Sequence, residues 1–404
     1  MPSDLGALVR LLRVAPESQS AGDADEEGRR LETLAMDLAT GKASAGDERA
    51  STDTFCALAQ DRLLSRAYRL PPGAPGAAHP GSVLRVVQCV RLMLRHAPFV
   101  ARLREIAGAA EALGDKFRAY ADLHRAHGDT ALAELADGVR DGASKDAETS
   151  SARAFAFREE ILRELASVFK KMATTPRDDG DAENGDASEQ TRHSSTERDI
   201  LPDSAHVVAV SLLSTRDPSL LASALVILRS ATSRKLFGES RKLLDVARSD
   251  CFHHLVAALR EYAAPFDRLA TDVLQNLCRL AEGRDGARAA GAVRVALELI
   301  QRRAEYEADA ESRAARAFGG ERRNERKSEK GKSSDEKRAL ALRVLCGLLQ
   351  DRAAVAEARA ADAPALVAGA LRRLDGASAE AEDDAATACL CCSALTRLAA
   401  DDDG

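Results

Sequence analysis

A leucine pattern repeated at nearly constant intervals constrains how the second half of this chain can fold. Four copies follow the spacing Leu-x-x-Leu-x-x-apolar, and Cys392 replaces the first leucine of the last copy. The middle leucines are Leu228, Leu277, Leu345 and Leu395. Their intervals are 49, 68 and 50 residues, and the long interval becomes roughly 48 without the charged segment 319–338. Such a helical unit cannot bury its apolar face alone, so its recurrence predicts units that stack on one another.

Helical periodicity also extends over the first half of the chain. Apolar residues recur there three and four positions apart, as on one buried helix face. They include Val83, Val87, Val90, Leu94, Ile161, Leu165 and Val168. Aromatic residues make up only 3% of the chain, whereas strands favour aromatic and β-branched residues. The sequence therefore predicts an all-α fold.

The stretches between the leucine patterns resemble the armadillo repeat. After Leu277, the sequence CRLAEGRDGARAAGAVRVALELIQ predicts a helix end at Gly283, a short helix, a break at Gly291 and a new amphipathic helix. In the next unit, residues 361–364 (Ala-Asp-Ala-Pro) replace the glycine-rich turn. The resemblance implies a right-handed superhelix of armadillo-like repeats, an α-solenoid with disordered charged insertions.

Breaks in the periodicity predict the domain organisation. Residues 71–81 are rich in Pro and Gly and predict a loop. Residues 176–199 are polar and acidic and predict a disordered linker, and residues 319–338 predict a mobile charged insertion. Residues 200–400 are then the clear repeats. Residues 1–175 are degenerate repeats, with a separate helical bundle as the alternative.

The resemblance also implies a function in protein binding. The third helices of armadillo repeats line a concave groove that holds an extended peptide or a partner helix, so we expect a non-catalytic scaffold or adaptor. Asn276, within Gln275-Asn276-Leu277, matches the asparagine with which peptide-binding members grip a peptide backbone. The equivalent residues Ile227, Val344 and Ala394 cannot play this role, and the chain has no Trp. Asn276 is therefore either a groove residue or an ordinary polar surface residue.

Four arginines follow the predicted groove positions by one or two residues. They are Arg229, Arg279, Arg343 and Arg397. Because a guanidinium group offers fixed donors for carboxylates, these residues favour an acidic partner segment. The alternative is a solvated helix face in an arginine-rich sequence.

Motifs for catalysis or cofactor binding fail on spacing. The adjacent His253 and His254 would point about 100° apart on a helix, and a zinc site needs further ligands. Cys389 and Cys392 have no second pair of ligands, and Cys392 falls on an apolar anchor, which predicts packing in the core. Residues 331–333 (Gly-Lys-Ser) lack the first glycine of a phosphate-binding loop. We expect no catalytic, metal or cofactor site and no small-molecule substrate.

Charge and hydropathy narrow the classes of partner. The formal net charge of −6 argues against general nucleic-acid binding, and no apolar window is long enough to span a membrane. Because the sequence has no features of a signal peptide, we expect a cytoplasmic protein. Binding to a partner could also place it in the cilium or the nucleus. Residues 313–338 contain ten basic and five acidic residues and suggest polyanion or acidic-tail binding as a second function. The sequence is also compatible with an accessory factor of a chaperone or ubiquitin system, and with a helical enzyme whose site is unrecognised.

Overall fold

The described residues are helices joined by turns. The computed structural model describes residues 65–78, 80–94, 108–136, 145–174, 202–233, 241–302, 324–374 and 382–400. Within these ranges no residue lies in a strand, and the predicted all-α fold is confirmed. The chain divides into two compact units, Met1–Ile227 and Leu228–Gly404. The predicted linker 176–199 lies outside the described residues, so the predicted domain boundaries stay a prediction.

Unit 1 is built around two long helices that pack on each other. Its helices are α1 (Arg66–Arg69), α2 (Pro80–Met93), α3 (Ala109–Ala136), α4 (Lys145–Thr174), α5 (Asp203–Leu212) and the greater part of α6 (Pro218–Ala231). Helix α4 packs against both α2 and α3, and α3 also packs against α5. The Phe117 and Phe169 rings stack between α3 and α4 with centroids 4.9 Å apart.

The apolar stripes predicted for the first half are buried in unit 1. All seven residues of the predicted set are at most 3% exposed. The predicted loop at 71–81 is turn structure up to residue 78, and α2 begins at Pro80 rather than after Gly81. Proline is suited to this place because the first turn of a helix needs no donor from its backbone nitrogen.

Unit 2 consists of three successive triplets, each with a first, a second and a third helix. The first triplet is α7 (Arg241–Ala247), α8 (Phe252–Glu261) and α9 (Phe266–Leu277). The second is α10 (Ala281–Ala289), α11 (292–302) and α12 (Asn324–Leu348). The third is α13 (Arg352–Ala360), α14 (Ala363–Leu374) and α15 (Glu382–Ala399). Helix α6 has the first copy of the leucine pattern and corresponds to the third helix of a preceding repeat.

The third helices stack on one another, and the middle leucine of the pattern is buried in three copies and half-buried, at Leu395, in the fourth. Helix α12 contacts both α9 and α15, and within two triplets the second helix packs on the third, as α8 on α9 and α14 on α15. Leu228, Leu277 and Leu345 are fully buried. Burying a leucine side chain stabilises the fold by about 1.5–3 kcal/mol. The predicted repeat is thus the packing unit of the structure.

Turns with left-handed backbone separate the first and second helices. Gly291, between α10 and α11, has φ of 78°, and the predicted break at this glycine is confirmed. Asp362, between α13 and α14, occupies the corresponding turn with φ of 58°. The predicted helix end at Gly283 is wrong, since α9 ends at Leu277 and Gly283 lies buried inside α10. Without a side chain, Gly283 lets α10 approach the carbonyl of Leu277.

Part of the predicted charged insertion is helical. Residues 324–338 belong to α12, which runs continuously into the leucine pattern. Residues 319–323 lie outside the described residues. Glu, Lys, Arg and Ser favour or tolerate a helix once an adjoining helix is anchored by its apolar face. Here the buried residues from Leu340 onward provide that anchor.

Candidate functional site on the third helices

Three successive third helices bring two arginines to one aspartate. Arg229 at the end of α6 places Nη1 3.7 Å from Oδ2 of Asp272 on α9. Arg343 on α12 places Nη2 3.0 Å from Oδ1 of the same carboxylate. The group Arg229, Asp272 and Arg343 is called the third-helix cluster below. It joins two of the four predicted arginines across three helices, and its three residues all belong to unit 2.

Gln275 orients the arginine on one side of this cluster. Its Oε1 accepts a hydrogen bond of 2.7 Å from Arg343 Nη2, and its Nε2 lies 3.4 Å from the Arg343 carbonyl oxygen. Gln275 and Asp272 are three residues apart on α9 and therefore share a helix face. The two side chains hold the guanidinium group of Arg343 at a fixed place on the surface.

Asn276 is tied to the end of the preceding third helix. Its Nδ2 donates to Thr232 Oγ1 at 3.2 Å, and the Thr232 hydroxyl donates to the Leu228 carbonyl at 2.8 Å. Asn276 is half-buried, whereas the equivalent Ile227 and Val344 are fully buried and cannot contact a partner. The structure therefore gives this asparagine a helix-connecting hydrogen bond, and its contact with a partner stays a prediction.

The third-helix cluster is only partly shielded from water. The side chains of Arg229, Asp272 and Arg343 are 44%, 30% and 36% exposed. Two guanidinium groups face one carboxylate, which leaves one positive charge in excess within the cluster. A guanidinium group has five N–H donors, so the cluster has donors beyond those that Asp272 and Gln275 use. It can therefore accept a carboxylate from another molecule.

The other two predicted arginines lie at helix ends. Arg279 lies in the turn after α9, and Arg397 on α15 donates from Nη1 to the carbonyl of Cys346 near the end of α12. The last carbonyls of a helix have no partner within it and bear partial negative charge. Arg284 similarly donates to the carbonyls of Cys278 and Arg279 at 3.1 and 3.2 Å. Arg397 thus stabilises the end of a helix, outside the third-helix cluster.

Asp272 and Gln275 were missed by the sequence analysis. Their signal was nevertheless present, because Arg268, Asp272 and Gln275 recur at i, i+4 and i+7 and form the polar stripe of α9. Arg268 also forms an ion pair with Glu336 on α12. Tracing polar stripes as well as apolar ones would have selected these residues, although not the partners that they meet.

The cysteines at the end of the chain are placed differently from the prediction. Cys392 is exposed, as is Cys389, while Cys391 is buried. The core packing predicted for Cys392 is wrong, because α15 buries Cys391, Ala394 and Leu398 instead. The first two of these residues each precede a position of the leucine pattern by one residue. Burial raises the pKa of the Cys391 thiol to about 11.

Neither a metal site nor a membrane span is found in the part of the chain that the structure describes. No three or more His, Cys, Asp or Glu side chains there are grouped so that they could hold a metal ion, and both His253 and His254 are exposed. None of the helices searched in the described ranges combines the length and the hydropathy needed to cross a bilayer.

Comparison with protein families and with curated proteins gives no match. Among solved structures, a designed armadillo repeat protein is 13% identical with a TM-score of 0.45, over 84% of this chain and 98% of that chain. Another designed armadillo repeat protein, in complex with the peptide (KR)4, is 14% identical with a TM-score of 0.40, over 83% of this chain and 99% of that chain. The TSC2 N-terminus is 13% identical with a TM-score of 0.39, over 99% of this chain and 90% of that chain.

The helix packing of unit 2 defines its fold. Three triplets of the same internal order follow one another, and their third helices contact in succession. Short first helices precede each second helix, and a left-handed residue separates them at Gly291 and Asp362. The described residues therefore have an all-α fold, and unit 2 is built of armadillo-like helical repeats.

Proposed function

We propose that the chain is a non-catalytic scaffold that binds a segment of another protein at the third-helix cluster. The observation that supports this proposal is the convergence of Arg229 and Arg343 on the single carboxylate of Asp272. Two cations and one anion leave room for a second anion, and a protein segment supplies one as an Asp or Glu side chain. The partner is thus a segment with at least one exposed carboxylate.

The cluster selects a carboxylate by geometry as well as by charge. The planar guanidinium group matches a carboxylate with two parallel N–H···O bonds. Gln275 restrains the Arg343 guanidinium before binding, which lowers the entropy lost when a partner binds. Asp272 keeps the two arginines close despite their like charge, so the cluster exists before a partner arrives.

Asn276 and Arg279 extend the proposed contact along α9. Asn276 follows Asp272 by four residues, so it lies one helical turn further on the same side of α9. Its amide already donates to Thr232, and we expect its Oδ1 to accept a hydrogen bond from the backbone of the partner. Arg279 follows in the next turn of the chain. Arg397 supports the end of α12 and contributes only indirectly.

Selection from a displayed peptide library on the full chain tests the proposal. We expect the selected peptides to contain Asp or Glu, and substitution of that residue by Asn or Gln to abolish binding. Arg229→Gln combined with Arg343→Gln should weaken the selected peptides roughly tenfold or more, since hydrogen bonds between charged groups contribute about 1.5–3 kcal/mol. Fluorescence anisotropy measures the change.

A matched control removes two charges elsewhere in unit 2. Arg241 is 94% exposed on α7, and Arg372 is exposed on α14. Arg241→Gln with Arg372→Gln should leave the affinity within about twofold, because Arg241 pairs with Asp245 and Arg372 donates to the Ala368 carbonyl, and neither belongs to the third-helix cluster. Equal losses in both double variants, or selected peptides without acidic residues, would contradict binding at the third-helix cluster.

A further inference from the structure

A second group of arginines lies on the second helices of unit 2. Arg260 at the end of α8 places Nη2 3.4 Å from Oε2 of Glu298 on α11. Arg302 places Nη2 3.8 Å from the same oxygen, and Arg294 places Nε 3.9 Å from Oε1. These four residues are called the second-helix cluster. Arg294, Glu298 and Arg302 are four residues apart in turn, so they form one stripe of α11 that Arg260 meets from the neighbouring repeat.

The three arginines are not satisfied by Glu298. Their distances of 3.4 to 3.9 Å exceed those of hydrogen bonds. Within the described part of the chain, Glu298 Oε2 is shielded from water and has no hydrogen-bond partner. The interaction is therefore one of charge, and Glu298 occupies none of the N–H donors of the three guanidinium groups. The side chains of Arg260, Arg294 and Arg302 are 42%, 74% and 58% exposed.

Folding stability does not account for this arrangement. Exposed ion pairs at these distances contribute little, and three like charges around one carboxylate repel one another. Three guanidinium groups and one carboxylate leave two positive charges in excess. His253 lies seven residues before Arg260, on the same stripe of α8, while Glu261 follows Arg260 on a different side of the helix. A single further carboxylate would neutralise only half of the excess.

We infer that the second-helix cluster binds a phosphate dianion on a phosphorylated segment of a partner protein. A phosphorylated serine or threonine has a charge of about −1.5 to −2 and three acceptor oxygens, which match the excess charge and the available donors. Arginine forms paired N–H···O bonds to phosphate, and three arginines approach from two helices. The site is independent of the third-helix cluster.

Three degenerate peptide pools on the full chain test this inference. The pools have phosphoserine, serine or aspartate at the central position and random residues on both sides. We expect retention of the phosphoserine pool at least about tenfold above the serine pool, given the strength of charged hydrogen bonds. Arg260→Gln with Arg302→Gln should abolish the preference. Arg241→Gln with Arg372→Gln, which removes the same charge elsewhere, should preserve it.

A substitution with the opposite effect distinguishes binding from a structural role. Glu298→Gln removes the carboxylate that competes with the phosphate for the three arginines. It should therefore increase the affinity for the phosphoserine pool about threefold or more. An arginine group that only stabilises the fold would give no such gain. Equal retention of the phosphoserine and serine pools would overturn the inference. Equal affinity for inorganic phosphate and for the phosphoserine pool would overturn the assignment to a protein segment.

These results also separate the two sites. Arg229→Gln with Arg343→Gln should leave the preference for phosphoserine intact, while Arg260→Gln with Arg302→Gln should leave the library-selected acidic peptides bound. Loss of both activities in either double variant would show a loss of structure, which thermal unfolding followed by circular dichroism would detect. Loss of both activities in a variant whose Tm is unchanged would overturn the independence of the second-helix cluster.

Discussion

Replacement of Gly283 by alanine is expected to destabilise unit 2, although alanine is the better helix former. A Cβ atom at this position of α10 would lie 2.0 Å from the carbonyl oxygen and 2.5 Å from the carbonyl carbon of Leu277. Both atoms are backbone at the end of α9, so no change of side-chain rotamer removes the clash. Relief requires α10 to move away from α9, which would open the packing between two successive repeats.

The magnitude follows from two opposing contributions. An extra methyl group in a packed site costs about 1–3 kcal/mol, and a clash with backbone belongs at the upper end. The higher helix propensity of alanine offsets about 1 kcal/mol. We therefore expect Gly283→Ala to lower the free energy of unfolding by about 2 kcal/mol. For a unit of this size, 1 kcal/mol shifts Tm by roughly 2–4 °C, so Tm should fall by about 4–8 °C.

Thermal unfolding followed by circular dichroism measures this change, and two further variants isolate its cause. Ala356 is exposed on α13, so Ala356→Gly should cost only about 1 kcal/mol through helix propensity. At Gly286, an added Cβ would lie 2.3 Å from the Phe252 ring, a clash that a smaller side chain relieves. Phe252→Leu should thus partly rescue Gly286→Ala but not Gly283→Ala. A Tm for Gly283→Ala at or above that of the unaltered protein would refute the reasoning.

Three more expectations concern a turn, a helix cap and the thiols. Asp362→Gly should raise the free energy of unfolding by up to about 1 kcal/mol, and with it Tm, since an L residue with left-handed backbone is strained. A lower Tm would contradict this. Burial opposes ionisation of Asp217, but hydrogen bonds from Arg163 and two backbone amides hold its pKa below the usual 3.8. Its stabilisation is therefore complete above pH 4 and lost as the pH falls through the folded-state pKa, so the Tm difference between the unaltered protein and Asp217→Asn should shrink there. In the native protein, a thiol reagent should modify the exposed Cys389 and Cys392 but not Cys278, whose pKa burial raises to about 12; peptide mass spectrometry would show modified Cys278 if this were wrong.

The helical fold and its repeat could be predicted from local patterns. Leu228, Leu277 and Leu345 indicate buried helix faces, because apolar spacing of three and four residues has a single helical interpretation over such lengths. The break at Gly291 was equally predictable, since glycine adopts positive φ without strain. The prediction was wrong at Gly283, where a glycine serves close helix packing, and at Cys392, where a one-residue change of register brings the neighbouring cysteine into the core.

The interaction sites were decided by tertiary structure. The sequence selected Arg229 and Arg343 as candidates but could not join them to Asp272, which is 43 and 71 residues away along the chain. It did not select Arg260 or Glu298 at all. Helical periodicity depends on residues within a few turns, and the sequence therefore determined which faces are apolar and how often the unit recurs. Which charged side chains meet depends on the register between neighbouring helices, and that register is set only when the repeats pack together.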